Sequence, residues 1–149
     1  MKKKTTTTKT GVFGPIYTQF KNKPKEAILH LKKVRTGECL NAMYRKETGF
    51  VSIVWGENDP KTNEGYGLKH IIEKHGKQIK KAGYKVEEFV PFAFEFGKVE
   101  KLVRSVKIII ESDKSRMILS TKWFGKNKTL LLTSFAINKK TPKKRKPKV

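Results

Sequence analysis

His70 and His75 stand five residues apart in the run Gly67-Leu68-Lys69-His70-Ile71-Ile72-Glu73-Lys74-His75. Imidazole changes charge near neutral pH, so such a pair suits proton transfer to and from a substrate. On an ideal helix the two would point about 140° apart, and they would share a cleft only if the helix ended between them. The spacing of four that suits a zinc-binding helix is absent, and no third ligand accompanies the pair, so no metal site is expected. The plain structural alternative makes His70 a helix-surface residue and His75 a C-terminal residue favoured by the helix dipole.

A second group of chemically able side chains lies further on. Ser120-Thr121-Lys122-Trp123 and Thr133-Ser134-Phe135 fall in neighbouring β-prone runs. Alternation places Ser120 and Lys122 on one strand face and Thr121 and Trp123 on the other, and likewise separates Thr133 from Ser134. Hydroxyls with a lysine could hold a phosphate, and Trp123 or Tyr66 could stack on a base. Cleavage of RNA needs few parts beyond these. A base takes the ribose 2′-hydroxyl proton, an acid protonates the departing 5′-oxygen, and cationic or hydroxyl donors hold the charged phosphorane. DNA hydrolysis fits less well, because it usually needs a metal-activated water.

These residues must be positioned by surrounding elements. Pro24 stands where a helix can begin, and Ala27, Ile28, Leu31 and Val34 follow at helical spacing until Gly37. His30 within that run reads as a structural histidine. Phe50 to Trp55 is a strand ending at Gly56, followed by a polar loop with Asn58, Asp59, Pro60 and Asn63. Leu68 to His75 reads as a short helix with Gly76 as its stop. Glu87 to Phe94 reads as a buried helix despite Pro91. Val106–Ile110, Met117–Phe124 and Leu130–Ile137 form a meander, joined by turns at 112–115 and 125–128. Links so short force antiparallel pairing. The expected fold is therefore α+β, with N-terminal helices packed on one face of a four-stranded antiparallel sheet completed by the Phe50 strand.

Charge narrows the partner. The chain of 149 residues carries a formal net charge of +22. The stretches 1–12 and 138–149 supply eleven of those charges and no acid, so the body between them still stands at +11. A basic body implies a polyanionic partner, because each neutralised phosphate releases condensed counterions. No basic amphipathic helix, lipidation site, secretory leader or run of transmembrane length is apparent, so no membrane partner is expected. Cys39 is the single cysteine, which excludes an internal disulfide. Residues 1–12 read as a disordered basic tail, 13–137 as one domain, and 138–149 as a second basic tail. The run 142–148 resembles a nuclear-import signal, although a basic arm adding phosphate affinity is the preferred reading. Otherwise a cytoplasmic site, or delivery into a target cell, is expected.

The stretches Phe50-Val51-Ser52-Ile53-Val54-Trp55-Gly56-Glu57, Gly65 to Gly76 and Leu131-Leu132-Thr133-Ser134-Phe135 resemble the phage-associated branch of the barnase/EndoU/colicin/RelE-like (BECR) nucleases. The likeness spans roughly residues 13–137. It implies helices followed by a four-stranded antiparallel sheet, and metal-independent endoribonuclease activity without a cofactor. It also implies a toxin or effector role, an RNA substrate such as tRNA, and a cognate immunity protein or antitoxin. Carried onto this chain, the resemblance makes His70, His75, Lys122, Thr133 and Ser134 the catalytic set. Tyr66, Trp123, Lys69, Lys74, Arg104 and Arg116 are the expected RNA contacts, the two arginines on charge alone. The rival readings are a non-catalytic RNA- or DNA-binding protein of a mobile element, with structural histidines, and a DNA nuclease. A monomer is expected.

Overall fold

The computed structural model describes residues 9–62, 64–101, 106–123 and 126–137. Arg104, Asn63, Gly125 and the basic run 142–148 lie outside the described residues.

The chain opens with a hairpin of β1 (Lys9–Gly11) and β2 (Gly14–Tyr17), so a strand begins inside the stretch expected to be a disordered tail. Helix α1 (Pro24–Val34) starts on Pro24 and buries Ala27, Ile28 and Leu31. It stops at Arg35, two residues before Gly37, where the left-handed backbone (φ 58) lets the Arg35 N–H reach the Leu31 carbonyl at 2.8 Å. Strands β3 (Glu38–Arg45), β4 (Gly49–Val54) and the short β5 (Glu57–Asn58) and β6 (Gly65–Tyr66) follow. Next come α2 (Gly67–His70), a π-helical turn over Ile71–His75, α3 (Gly76–Lys81) and α4 (Val86–Phe96). Strands β7 (Lys98–Lys101), β8 (Lys107–Glu111), β9 (Ser115–Trp123) and β10 (Lys126–Ala136) complete the described chain.

The architecture is α+β, but the sheet is not the expected four antiparallel strands. It is a mixed sheet of eight, in the order β1-β2-β3-β4-β10-β9-β8-β7. The meander β8–β9–β10 is antiparallel as the short links require, whereas β4 joins β10 in parallel at Ser52 and Leu130. The helices are not N-terminal to the sheet either, since four of its strands precede α2. The extra strands carry weak signals. In β3 the left-handed Asn41 (φ 54) and a register break between Cys39 and Met43 replace alternation with paired buried residues. Strand β7, Lys98-Val99-Glu100-Lys101, is mostly charged.

Helices α1 and α4 pack side by side over one sheet face. Ile28, Leu31, Phe89, Val90, Met117 and Leu119 are buried there in one cluster. Lys32 Nζ and Glu87 Oε1, 3.0 Å apart, tie the two helices together. Pro91 sits within α4, which runs two residues further than expected at its C-terminal end. Arg45 Nη1 closes that end by donating to the carbonyls of Phe94 at 2.7 Å and Gly97 at 2.6 Å. His30 fills the structural role expected of it. Its ring is 4.3 Å from Tyr17 and 4.9 Å from Phe20 between centroids. No helix among the described residues is long and apolar enough to cross a membrane.

Candidate active site

The site is built where β4 ends and α2 begins. Gly56 (φ 76) and Gly67 (φ 85) bring the two backbones into contact, and a Cβ on Gly67 would lie 2.9 Å from Gly56 Cα. Only glycine accepts both the left-handed backbone and so close an approach. The Lys69 N–H donates to the Trp55 carbonyl at 2.7 Å, and buried Leu68 and Ile71 press the helix onto the core. His70 is thereby held rigidly, with a relative exposure of 6%.

The partners of His70 define its protonation. Asn58 Nδ2 donates to Glu73 Oε1 at 3.0 Å, and Asn58 Oδ1 lies 2.8 Å from His70 Nδ1. A carboxylate only accepts hydrogen bonds, so Glu73 fixes which end of the Asn58 amide faces the histidine. The amide oxygen must then accept, and His70 Nδ1 carries the proton. Its Nε2 is left as the basic nitrogen. Burial first, then the charge of Lys74, holds the His70 imidazole below the usual histidine range.

Gly76 does not stop this helix. It takes ordinary helical angles (φ −59), and the left-handed stop comes later, at Gly83 (φ 97). Between His70 and Gly76 the turn widens into the π form, which is rare and often sits at functional sites. The wider turn brings the imidazoles together, with ring centroids 5.6 Å apart at 84°. His75 also stacks on Phe135 of β10, at 4.9 Å and 29°. Burial chiefly, then His70 and Lys74, push the His75 pKa down to about 4.

Register places the remaining candidates. Phe135 stands opposite Arg116 and Thr133 opposite Ile118, so Arg116, Thr133 and Phe135 share the sheet face that looks away from the α1–α4 core. Arg116 Nε and Thr133 Oγ1 are buried with no hydrogen-bond partner among the described residues. Ser134, fully buried and opposite core residue Met117, points to the other side. Lys122 is exposed on the Arg116 face of β9, but six residues away, roughly 20 Å along the strand. Trp123 alternates onto the core side, where it meets Tyr66 at 4.8 Å and Phe13 at 5.4 Å. Lys69 lines a cavity of about 360 Å³ with Arg35 and Trp55, and Lys74 is exposed beside both histidines. The structure therefore joins His70 to His75 and His75 to Phe135, puts Arg116 and Thr133 on the Phe135 face of the sheet, and turns Ser134 and Trp123 to the other face, with Lys122 farther along β9.

Sequence reasoning gave no role to Asn58, Glu73 or Phe135. Asn58 lies twelve residues from His70 in a polar loop, and no spacing rule links the two. Among the described residues, no group of three His, Cys, Asp or Glu side chains is placed to hold a metal ion.

No curated protein and no solved structure gives a significant match to the chain. A family model does match, over residues 42–141, from within β3 past the end of β10. The matched stretch contains Asn58, His70, Glu73, His75, Arg116, Thr133 and Phe135, and leaves out α1. That family is the phage-Barnase-EndoU-ColicinE5/D-RelE like nuclease 1 family, and this chain belongs to it.

Proposed function

We propose that the protein is an endoribonuclease that cleaves RNA by attack of the ribose 2′-hydroxyl, without a metal ion. The observation that carries this reading is the joined histidine pair, in which His70 keeps a basic Nε2 through Asn58 and Glu73.

In this reading His70 Nε2 removes the 2′-hydroxyl proton, and the 2′-oxygen bonds to phosphorus. The bond from phosphorus to the 5′-oxygen breaks, and that oxygen takes a proton from His75. The products are a 2′,3′-cyclic phosphate and a free 5′-hydroxyl. His75 is neutral in the free protein, and a phosphodiester anion against its ring raises its proton affinity until it can act as the acid. Arg116 and Thr133 offer donors to the non-bridging oxygens as charge builds on the phosphorane.

The test is incubation with RNA in excess EDTA, with analysis of the product ends. Cyclic phosphate ends are expected, and a folded His70→Ala variant should cleave about 100-fold more slowly. Activity abolished by EDTA and restored by a divalent ion would refute the mechanism. So would wild-type rates in folded His70→Ala and His75→Ala variants alike.

A further inference from the structure

We infer that Tyr44 and Phe50 form a base-stacking subsite for single-stranded RNA, on the sheet face that carries Arg116 and Thr133. The identity of the ligand rests on the endoribonuclease reading above; the subsite itself rests on different residues. Tyr44 and Phe50 are cross-strand partners in β3 and β4, with rings 4.8 Å apart. They stay 50% and 37% exposed, although both are large apolar side chains. Lys21 Nζ sits over the Phe50 ring, 5.0 Å from its centroid, which sets a cation against the aromatic pair. An aromatic surface flanked by positive charge suits a nucleotide, because every base has a π-face and every linkage a phosphate.

The ground beside this pair is concave and polar. Phe50 lines an open cleft of about 650 Å³ together with Asn41, Ser52, Lys126, Asn127 and Thr129. Amide and hydroxyl groups of this kind can meet the edges of unpaired bases. The cleft lies on the same sheet face as Arg116 and Thr133 by register. Phe50 and Ser52 share a face of β4, Ser52 stands beside Leu130 of β10, and Leu130 stands opposite Ser120 of β9. Ser120 in turn shares its face with Arg116. By strand rise, Phe50 and Thr133 are separated by roughly 16 Å along the strand direction. The subsite therefore takes bases flanking the scissile linkage. The net charge of +11 on the body favours a polyanion here over an acid-poor protein surface.

The probe is a single-stranded RNA of about twelve nucleotides, 2′-O-methylated throughout and followed by fluorescence anisotropy in EDTA. It has no 2′-hydroxyl to attack, so binding is read whether or not the protein cleaves RNA. The double variant Tyr44→Ser, Phe50→Ser should bind it about 10-fold or more weakly. A duplex of the same sequence, its bases already stacked, should bind wild type and variant alike. Phe50→Trp should keep full affinity. If the double variant fails to fold, Phe50→Leu keeps the apolar cover and should still lose affinity several-fold. Unchanged binding of the single strand, or equal losses for single strand and duplex, would overturn the subsite. A protein that binds as expected yet leaves RNA intact would overturn the catalytic reading and not this one.

Discussion

The imidazole of His75 lies almost flat on the ring of Phe135, with centroids 4.9 Å apart. This contact supplies apolar cover and fixes the ring's orientation. Replacing Phe135 with Ser should let the His75 pKa climb from about 4 back toward 6.5, as an NMR titration of the ring would show. Cleavage should fall about 10- to 100-fold, because the proton donor is no longer held. An unmoved His75 titration in a folded variant would contradict this account.

Stability should depend on pH through the same ring. The unfolded chain takes up a proton near pH 6.5, which the folded ring refuses until about pH 4. The folded state is therefore fully favoured above pH 6.5 and loses stability as the pH falls toward 4. His70, shifted the same way, adds to the trend. The loss assigned to His75 should be about 1 kcal/mol, after allowance for its part-exposed ring. Urea midpoints at neutral and acid pH would show it, and His75→Gln should flatten the slope.

Asn58 should act through His70 rather than on substrate. Asn58→Ala is expected to lower kcat about 10-fold or more with KM little changed, and nitrogen NMR should lose the pure Nδ1–H tautomer. Asn58→Asp supplies the stronger test. A carboxylate at Nδ1 raises the proton affinity of His70, so the acid limb of the pH–rate profile should move to higher pH. An unshifted profile in that variant would remove Asn58 from the site.

Arg45 ties β3 to the end of α4 with two short hydrogen bonds from a mostly buried side chain. Arg45→Met should destabilise the fold by about 2 kcal/mol, the usual scale for charge-assisted bonds to otherwise unmet carbonyls. Chemical denaturation would measure this, and a change within error would mean that water replaces the guanidinium without penalty.

Much of the frame was legible in the sequence, because strong local signals specify it. Pro24 and the spacing of Ala27, Ile28 and Leu31 marked α1, and the short turn at 112–115 enforced the antiparallel pairing of β8 and β9. Strands β3 and β7 were not legible, since irregular backbone in one and charge in the other hide the period of two. The parallel pairing of β4 with β10 joins segments far apart in the chain, and no local pattern encodes it. At the site, the two histidines and Thr133 stood out by residue type. Asn58, Glu73 and Phe135 did not, because their roles come from tertiary placement. The apparent stop at Gly76 misled, since glycine permits a left-handed turn without requiring one.

The π turn has a consequence best put as a matter of phase. Each residue advances an α-helix by about 100°, so five residues leave two side chains about 140° apart. A turn that absorbs one surplus residue subtracts about 100° and leaves about 40°, the offset of residues four apart in an unbroken helix. His70 and His75 thus behave as an i, i+4 pair while being spaced as i, i+5. Everything downstream is rotated by the same step, which is how Gln78 of α3 comes to accept the Ala136 N–H of β10 at 3.0 Å. Deleting one residue between Ile71 and Lys74 would restore a plain α-helix while keeping both the relation of the two imidazoles and the phase of Gln78 against that strand. Histidine geometry and helix docking are in this way set by one and the same step, and a chain whose histidines are four apart can hold both on a plain α-helix.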